Sequence, residues 1–261
     1  MIEFKYKTYG DKNTKPLLLL HGFMGESADY DSLASKLQNT FYCIVIDLPG
    51  HGQTKSSDDA DYTIEKTSDA VIGLLQKLQI NKPHLYGYSM GGRIAFYLLT
   101  HYPNVFDKSI IESSSPGLKT EDEKKERKQK DLLLVKRMRM QSLKLFLQDW
   151  YNLELFSTID KQSESFQTML TQKSKNNIAK LALSLQYAGT GVMPSLWDML
   201  ESIQTDVLLI TGAFDNKYKN IAQEITTKHS NFTHQIIDDA SHNVHFEYED
   251  KCCEKIRDFM S

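Results

Sequence analysis

Three side chains of this sequence, Ser89, Asp215 and His242, have the types and the order along the chain that nucleophilic or proton-transfer chemistry requires. A serine hydroxyl is a poor nucleophile and a poor base at neutral pH until an imidazole takes its proton. A carboxylate behind the imidazole fixes its tautomer and stabilises the cation that forms. Ser89 sits in Gly87-Tyr88-Ser89-Met90-Gly91, directly after the β-rich run His84-Leu85-Tyr86 and directly before a helical pattern. That is the setting of a nucleophile elbow, where small glycines permit a tight strand-to-helix turn that pushes the hydroxyl outward. A bare Gly-x-Ser-x-Gly arises by chance in roughly one chain in ten of this length, so its surroundings must decide.

Those surroundings supply the rest of a site. His21-Gly22-Phe23-Met24-Gly25 follows the apolar run 17–20 and reads as the loop that donates half of an oxyanion hole, the other half coming from the residue after the serine. The amides of Phe23 and Met90 are the candidate donors; the competing reading of His21-Gly22 is a plain turn after a strand. Asp215 lies four residues beyond the run 207–211, and His242 lies in Asp238-Asp239-Ala240-Ser241-His242-Asn243, after the run 234–237 and before a C-terminal helix. Asp238 and Asp239 compete for the acid and His245 for the base. Chain order and strand context favour Asp215 and His242, because functional residues gather on loops at the carboxyl ends of strands.

The elements that must position these residues are legible as alternation. β-rich runs at 17–20, 42–47, 84–88, 109–112, 207–211 and 234–237 are each followed by a helical pattern, the signature of a mostly parallel sheet covered by helices on both faces. Ile64, Val71, Ile72, Leu74, Leu75 and Leu78 recur at helical spacing over 63–78, and 93–102 repeats the pattern. After Glu112 roughly ninety residues pass before the next strand-like run, too many for a loop in a compact domain. Helical patterns at 121–140, 142–150, 163–173, 177–188 and 195–202 fill the interval. The expected organisation is an α/β-hydrolase fold with residues 1–116 and 203–261 as core and 117–202 as a helical cap inserted over its active edge.

Composition narrows the partners. At 261 residues, 40% hydrophobic and 25% charged, the chain is an ordinary globular one. A net charge of −3 argues against nucleic acid, which calls for a basic face. No segment is apolar enough to span a bilayer, and Met1-Ile2-Glu3-Phe4-Lys5-Tyr6-Lys7 lacks the apolar stretch of a signal peptide. The cysteines, Cys43, Cys252 and Cys253, are odd in number and have no metal-ligand spacing; a reducing cytoplasm is the expected location. Nothing in the sequence specifies an oligomeric state.

Longer motifs carry a resemblance over essentially the whole chain. They are Leu20-His21-Gly22-Phe23, Asp47-Leu48-Pro49-Gly50-His51-Gly52, Gly87-Tyr88-Ser89-Met90-Gly91-Gly92-Arg93, and Glu112 leading into Ser115-Pro116-Gly117-Leu118. Glu126-Arg127 with Asp131, Asp149-Trp150-Tyr151, Gly189-Thr190-Gly191 with Pro194-Ser195-Leu196-Trp197, and Asp215-Asn216-Lys217-Tyr218 complete the set. In these the chain resembles the 2-succinyl-6-hydroxy-2,4-cyclohexadiene-1-carboxylate synthases of menaquinone biosynthesis. The resemblance implies a lyase that eliminates pyruvate from a ring bearing an enolpyruvyl ether, with Ser89 as base and no acyl-enzyme. It implies a small-molecule substrate with three carboxylates and no need of a cofactor or metal.

Cationic side chains should then converge above Ser89, arginine being the best bidentate partner of a carboxylate. By the resemblance, Arg93 and Arg127 are two such residues, and Lys173 stands where the family usually has a third arginine. Tyr88 and Trp150 would supply a hydroxyl and an aromatic wall, although core packing is the commoner fate of an aromatic. The competing reading of Arg93 is a surface residue of a covering helix, against which its place directly after the elbow glycines counts. Arg127 could be one member of the i,i+4 pairs Glu121/Lys125, Glu123/Arg127 and Glu126/Lys130 on a solvated face. Two further departures concern pocket shape: Asn152-Leu153-Glu154 lacks the proline common after the tyrosine, and Met193 stands where glutamine is typical. The motifs alone leave two other readings open: a carboxylesterase or carbon–carbon bond hydrolase using Ser89 covalently, and a binding protein that has kept the fold and lost catalysis.

Overall fold

The computed structural model describes residues 1–261. In chain order its elements are β1 (Ile2–Glu3), β2 (Tyr6–Tyr9), β3 (Lys15–Leu20), α1 (Asp31–Leu37), β4 (Phe41–Ile46), β5 (Lys55–Ser56), α2 (Ile64–Lys77), β6 (His84–Tyr88), α3 (Met90–His101) and β7 (Ser109–Glu112). Then come α4 (Glu121–Met140), α5 (Leu143–Tyr151), α6 (Glu164–Lys173), α7 (Ile178–Ala188), β8 (Val207–Gly212), α8 (Asn216–Lys228), β9 (Phe232–Ile237), α9 (Val244–Glu247) and α10 (Glu249–Met260). Seven strands form one sheet in the order β2-β4-β3-β6-β7-β8-β9. β2 runs antiparallel to β4, and every other pairing is parallel.

β3 is apolar without alternation because both its faces are covered. Leu18 and Leu20 enter a core with Ile64, Val71 and Leu75 of α2, Ile94 and Phe96 of α3, and Ile225 of α8. Leu17 and Leu19 point the other way, onto Leu33 and Leu37 of α1 and Cys252, Cys253, Ile256 and Met260 of α10. The cysteines are thus free and buried in helix packing. Helices α4 to α7 carry a third cluster of their own, with Val135, Met138, Phe146, Leu147 and Leu181 around Met24.

Two local expectations change. The segment 195–202 is a 3-10 turn, Trp197–Ser202, not an α-helix. It is followed at once by extended Ile203, and so short a stretch closes i to i+3 bonds more readily than a full α-turn. β2 was hidden among charges because it is an edge strand with one half-exposed face, where polar residues are tolerated. No helix is long and apolar enough to cross a membrane.

Candidate active site

Ser89 stands at the end of β6 with φ 50° and ψ −104°, a conformation that costs a side-chain-bearing residue on the order of 1–3 kcal/mol. The neighbouring strand and loop hold it there. Its amide donates to the carbonyl of Glu112 at 2.9 Å, and the amide of Gly91 donates to the carbonyl of His21 at 3.0 Å. The turn closes only without side chains: a Cβ on Gly91 would lie 2.2 Å from the Leu20 carbonyl oxygen, and one on Gly87 would lie 2.6 Å from that of Gly91.

Asp215 follows β8 and precedes α8, and His242 lies in the loop after β9. His242 Nδ1 is 2.8 Å from Asp215 Oδ2, and its Nε2 is 3.0 Å from Ser89 Oγ. Asp215 and His242 are both buried, so the carboxylate meets the ring with little competition from water. The rivals are elsewhere. Asp238 and Asp239 are exposed, and His245 is buried under the sheet end, its Nδ1 2.9 Å from Glu112 Oε2 and its ring stacked on Tyr30.

The Phe23 amide donates to no protein acceptor. Met90 is the first residue of α3, where an amide has no acceptor within its own helix. Both are free to meet an oxygen. Around Phe23 the loop is fixed by two histidines: the Met24 amide donates to His51 Nε2 at 3.2 Å and the Leu48 amide to His21 Nε2 at 2.9 Å. Burial first, and then each other's proximity for His51, push both rings below the ordinary histidine pKa, which keeps those nitrogens as acceptors.

Ser89 and His242 open into a cavity of about 170 Å³ whose wall carries three cationic side chains, Arg93, Arg127 and Lys217, and no carboxylate. Arg93 is 9% exposed; it donates to the Ala188 carbonyl and touches Met193 Sδ at 3.8 Å. Burial, and next the neighbouring Arg127, push its pKa down to about 10, so it stays cationic at neutral pH with no carboxylate to meet it. Arg127 pairs with Asp131 through Nε at 2.8 Å, not with Glu123, because Glu123 closes the capping box of α4 with Thr120. Tyr88 and Trp150 both line the cavity, and Trp150 meets Phe23 edge to face at 5.4 Å. No group of His, Cys, Asp and Glu could hold a metal ion.

A family model for the alpha/beta hydrolase fold matches residues 15–248. The chain is 30% identical to the 2-succinyl-6-hydroxy-2,4-cyclohexadiene-1-carboxylate synthase of Salmonella typhimurium (strain LT2), over 91% of this chain and 90% of that one. A Bacillus subtilis (strain 168) protein provisionally given the same name is 33% identical, over 91% of this chain and 87% of that one. The solved structure of MenH from S. aureus superposes with a TM-score of 0.92 at 31% identity, covering 98% and 97% of the two chains. The chain belongs to the 2-succinyl-6-hydroxy-2,4-cyclohexadiene-1-carboxylate synthase family.

Within this synthase family frame, one residue named from the sequence is not where it was expected and three were missed. Lys173 does not line the Ser89 cavity. It is 3% exposed and paired with Asp29 beside a separate, larger cavity of about 840 Å³, which shares only Phe23, Tyr88 and Phe156 with the first. A buried ammonium must have an anionic partner, and Asp29 fills that role. Lys217, Tyr218 and Phe156 line the Ser89 cavity without having been singled out. Tyr218 stands 4.9 Å from His242, ring to ring. Lys217 and Tyr218 had a signal, since they lie two and three residues after Asp215 in a synthase motif; Phe156 had none.

Proposed function

We propose that this protein is a lyase that eliminates pyruvate from 2-succinyl-5-enolpyruvyl-6-hydroxy-3-cyclohexene-1-carboxylate, giving 2-succinyl-6-hydroxy-2,4-cyclohexadiene-1-carboxylate in menaquinone biosynthesis. Ser89, His242 and Asp215 are its catalytic triad in this reading. Ser89 Oγ takes the proton next to the succinyl ketone while its own proton passes to His242 Nε2, and Asp215 stabilises the imidazolium. The electron pair of the broken C–H bond moves onto the ketone oxygen, where the amides of Phe23 and Met90 meet the enolate charge. Collapse of the enolate forms the C2=C3 double bond, shifts the ring's existing C3=C4 bond to C4=C5 and breaks the C5–O bond to the enolpyruvyl group, which leaves, takes a proton and becomes pyruvate.

The observation that carries this reading is the charge of the cavity wall: Arg93 and Lys217 line it with no carboxylate partner, beside Arg127, which pairs with Asp131 through Nε. A substrate with three carboxylates matches such a wall, whereas an ester of ordinary polarity would leave buried Arg93 without a partner. Residues 117–202 serve as a cap in the same reading. They bring Arg127 and Trp150 to the cavity and stand on their own apolar cluster, which lets water be excluded above the serine. The test is pyruvate release that depends on Ser89 and Arg93; an acyl adduct on Ser89, seen by intact-protein mass spectrometry during turnover, would instead establish a covalent hydrolase.

A further inference from the structure

Lys173 ends α6 and is the only buried lysine of the chain. Its ammonium group meets the carboxylate of Asp29 and the carbonyl oxygen of Met24, the latter at 3.2 Å, with the Tyr151 hydroxyl also beside it. Asp29 in turn accepts the amide of Glu26 at 3.3 Å, so both of its partners belong to the stretch that runs from the end of β3 into α1. Burial alone would lower the Lys173 pKa, but Asp29, with Tyr151 and Glu26 nearby, leaves it above the ordinary value. The side chain is therefore a satisfied cation, held on the protein's own groups.

Met24 is the residue after Phe23, and it sits at φ 66°, in the left-handed region that a non-glycine residue adopts only when its surroundings impose it. Both of its peptide groups are held from outside the loop. The amide is held by His51 and the carbonyl by Lys173. The Phe23 amide, one peptide earlier, donates to nothing.

We infer that Lys173 is a positioning residue: with Asp29 it clamps the Met24 carbonyl and so aims the Phe23 amide at the reacting oxygen, and it does not itself bind a substrate carboxylate. This rests on the reading of Phe23 as an oxyanion donor in the pyruvate elimination. The two roles separate in kinetics. A carboxylate ligand acts on binding and raises KM and Kd when removed, whereas a misplaced oxyanion donor lowers kcat alone.

The experiment measures kcat and KM for pyruvate release in wild type, Lys173→Met, Lys173→Arg and the double variant Lys173→Met with Asp29→Asn. The double variant removes both charges, so that no lone buried carboxylate destabilises the fold; circular dichroism reports that it is folded. Substrate Kd is measured in Ser89→Ala with and without Lys173→Met. The expected result is a kcat lower by about 100-fold in Lys173→Met and in the double variant, with KM and Kd within about twofold and Lys173→Arg recovering most of kcat. A KM and Kd raised by about tenfold or more with kcat kept, or a folded double variant with wild-type kcat, overturns the inference. Wild type no faster than the spontaneous reaction defeats the functional reading itself, and is distinguishable because it precedes any variant.

Discussion

Arg93 brings a guanidinium into a wall where nothing negative meets it. Burial, with Arg127 alongside, pushes its pKa down from 12.5 to about 10, so at every pH below that value the folded empty site bears the cost of keeping it charged. Sites built for a charged ligand often trade stability in this way. Arg93→Met is therefore expected to raise the Tm of the ligand-free protein by about 2–4 °C, as roughly 1 kcal/mol does for a chain of this size, while removing activity. Differential scanning fluorimetry measures it, and a lower Tm would show that the bond to the Ala188 carbonyl outweighs the unpaired charge. Residue types and spacing pick out Ser89, Asp215 and His242 as candidates, and the side chains lie within hydrogen-bond distance in the succession Ser89, His242, Asp215, because each follows a strand and strand ends converge. They do not tell where a long side chain points. Lys173 and Lys217 are both lysines in synthase motifs or beside a helix end, yet one turns inward to Asp29 and the other lines the Ser89 cavity, a choice made by tertiary packing.

The elbow is a meeting of elements, β6 running into α3 with β3 and β7 on either side. Its glycines measure how close these pass. Gly91→Ala puts a Cβ 2.2 Å from the Leu20 carbonyl oxygen, which is backbone of the central strand and cannot swing aside. We expect a loss of about 2–3 kcal/mol, read as a shifted urea midpoint, together with loss of turnover as Ser89 moves from His242; retention of both stability and activity would contradict the packing described. Central strands such as β3 and β8 are legible in the sequence because they are apolar on both faces. β2 is not, being a half-exposed edge, and the segment 195–202 reads as an α-helix but closes as the 3-10 turn Trp197–Ser202, because so short a pattern does not separate the two periods.

On the scale of the whole molecule, several histidines are buried as neutral rings, and this sets a pH limit. His84, fully buried in β6, accepts the Lys108 amide on Nδ1 at 3.2 Å; burial first, then Lys15, lower its pKa to about 4. His21 and His51 shift the same way. Because these folded-state values lie below the unfolded value near 6.5, the unfolded chain takes up protons first. Stability is then fully present above about pH 6.5 and is lost as pH falls from there through about 4. Denaturant titrations between pH 7 and pH 4 should show this decline, made shallower by His84→Gln, which retains an acceptor; an unchanged slope in that variant would remove His84 from the account. The layered sheet was readable from alternation of strand and helix. The separate apolar cluster under α4 to α7 was readable only as helical spacing, since which helices share a core depends on how they cross.

The most direct measurement is pyruvate release from enzymatically generated 2-succinyl-5-enolpyruvyl-6-hydroxy-3-cyclohexene-1-carboxylate, comparing wild type, Ser89→Ala and Arg93→Ala with the spontaneous background. Release well above background is expected in wild type, with near-background rates in Ser89→Ala and kcat/KM reduced by about 100-fold in Arg93→Ala, as for loss of one buried charge-assisted bond of about 3 kcal/mol. Release no faster than background in wild type, or undiminished release in Ser89→Ala, would contradict the proposed lyase chemistry.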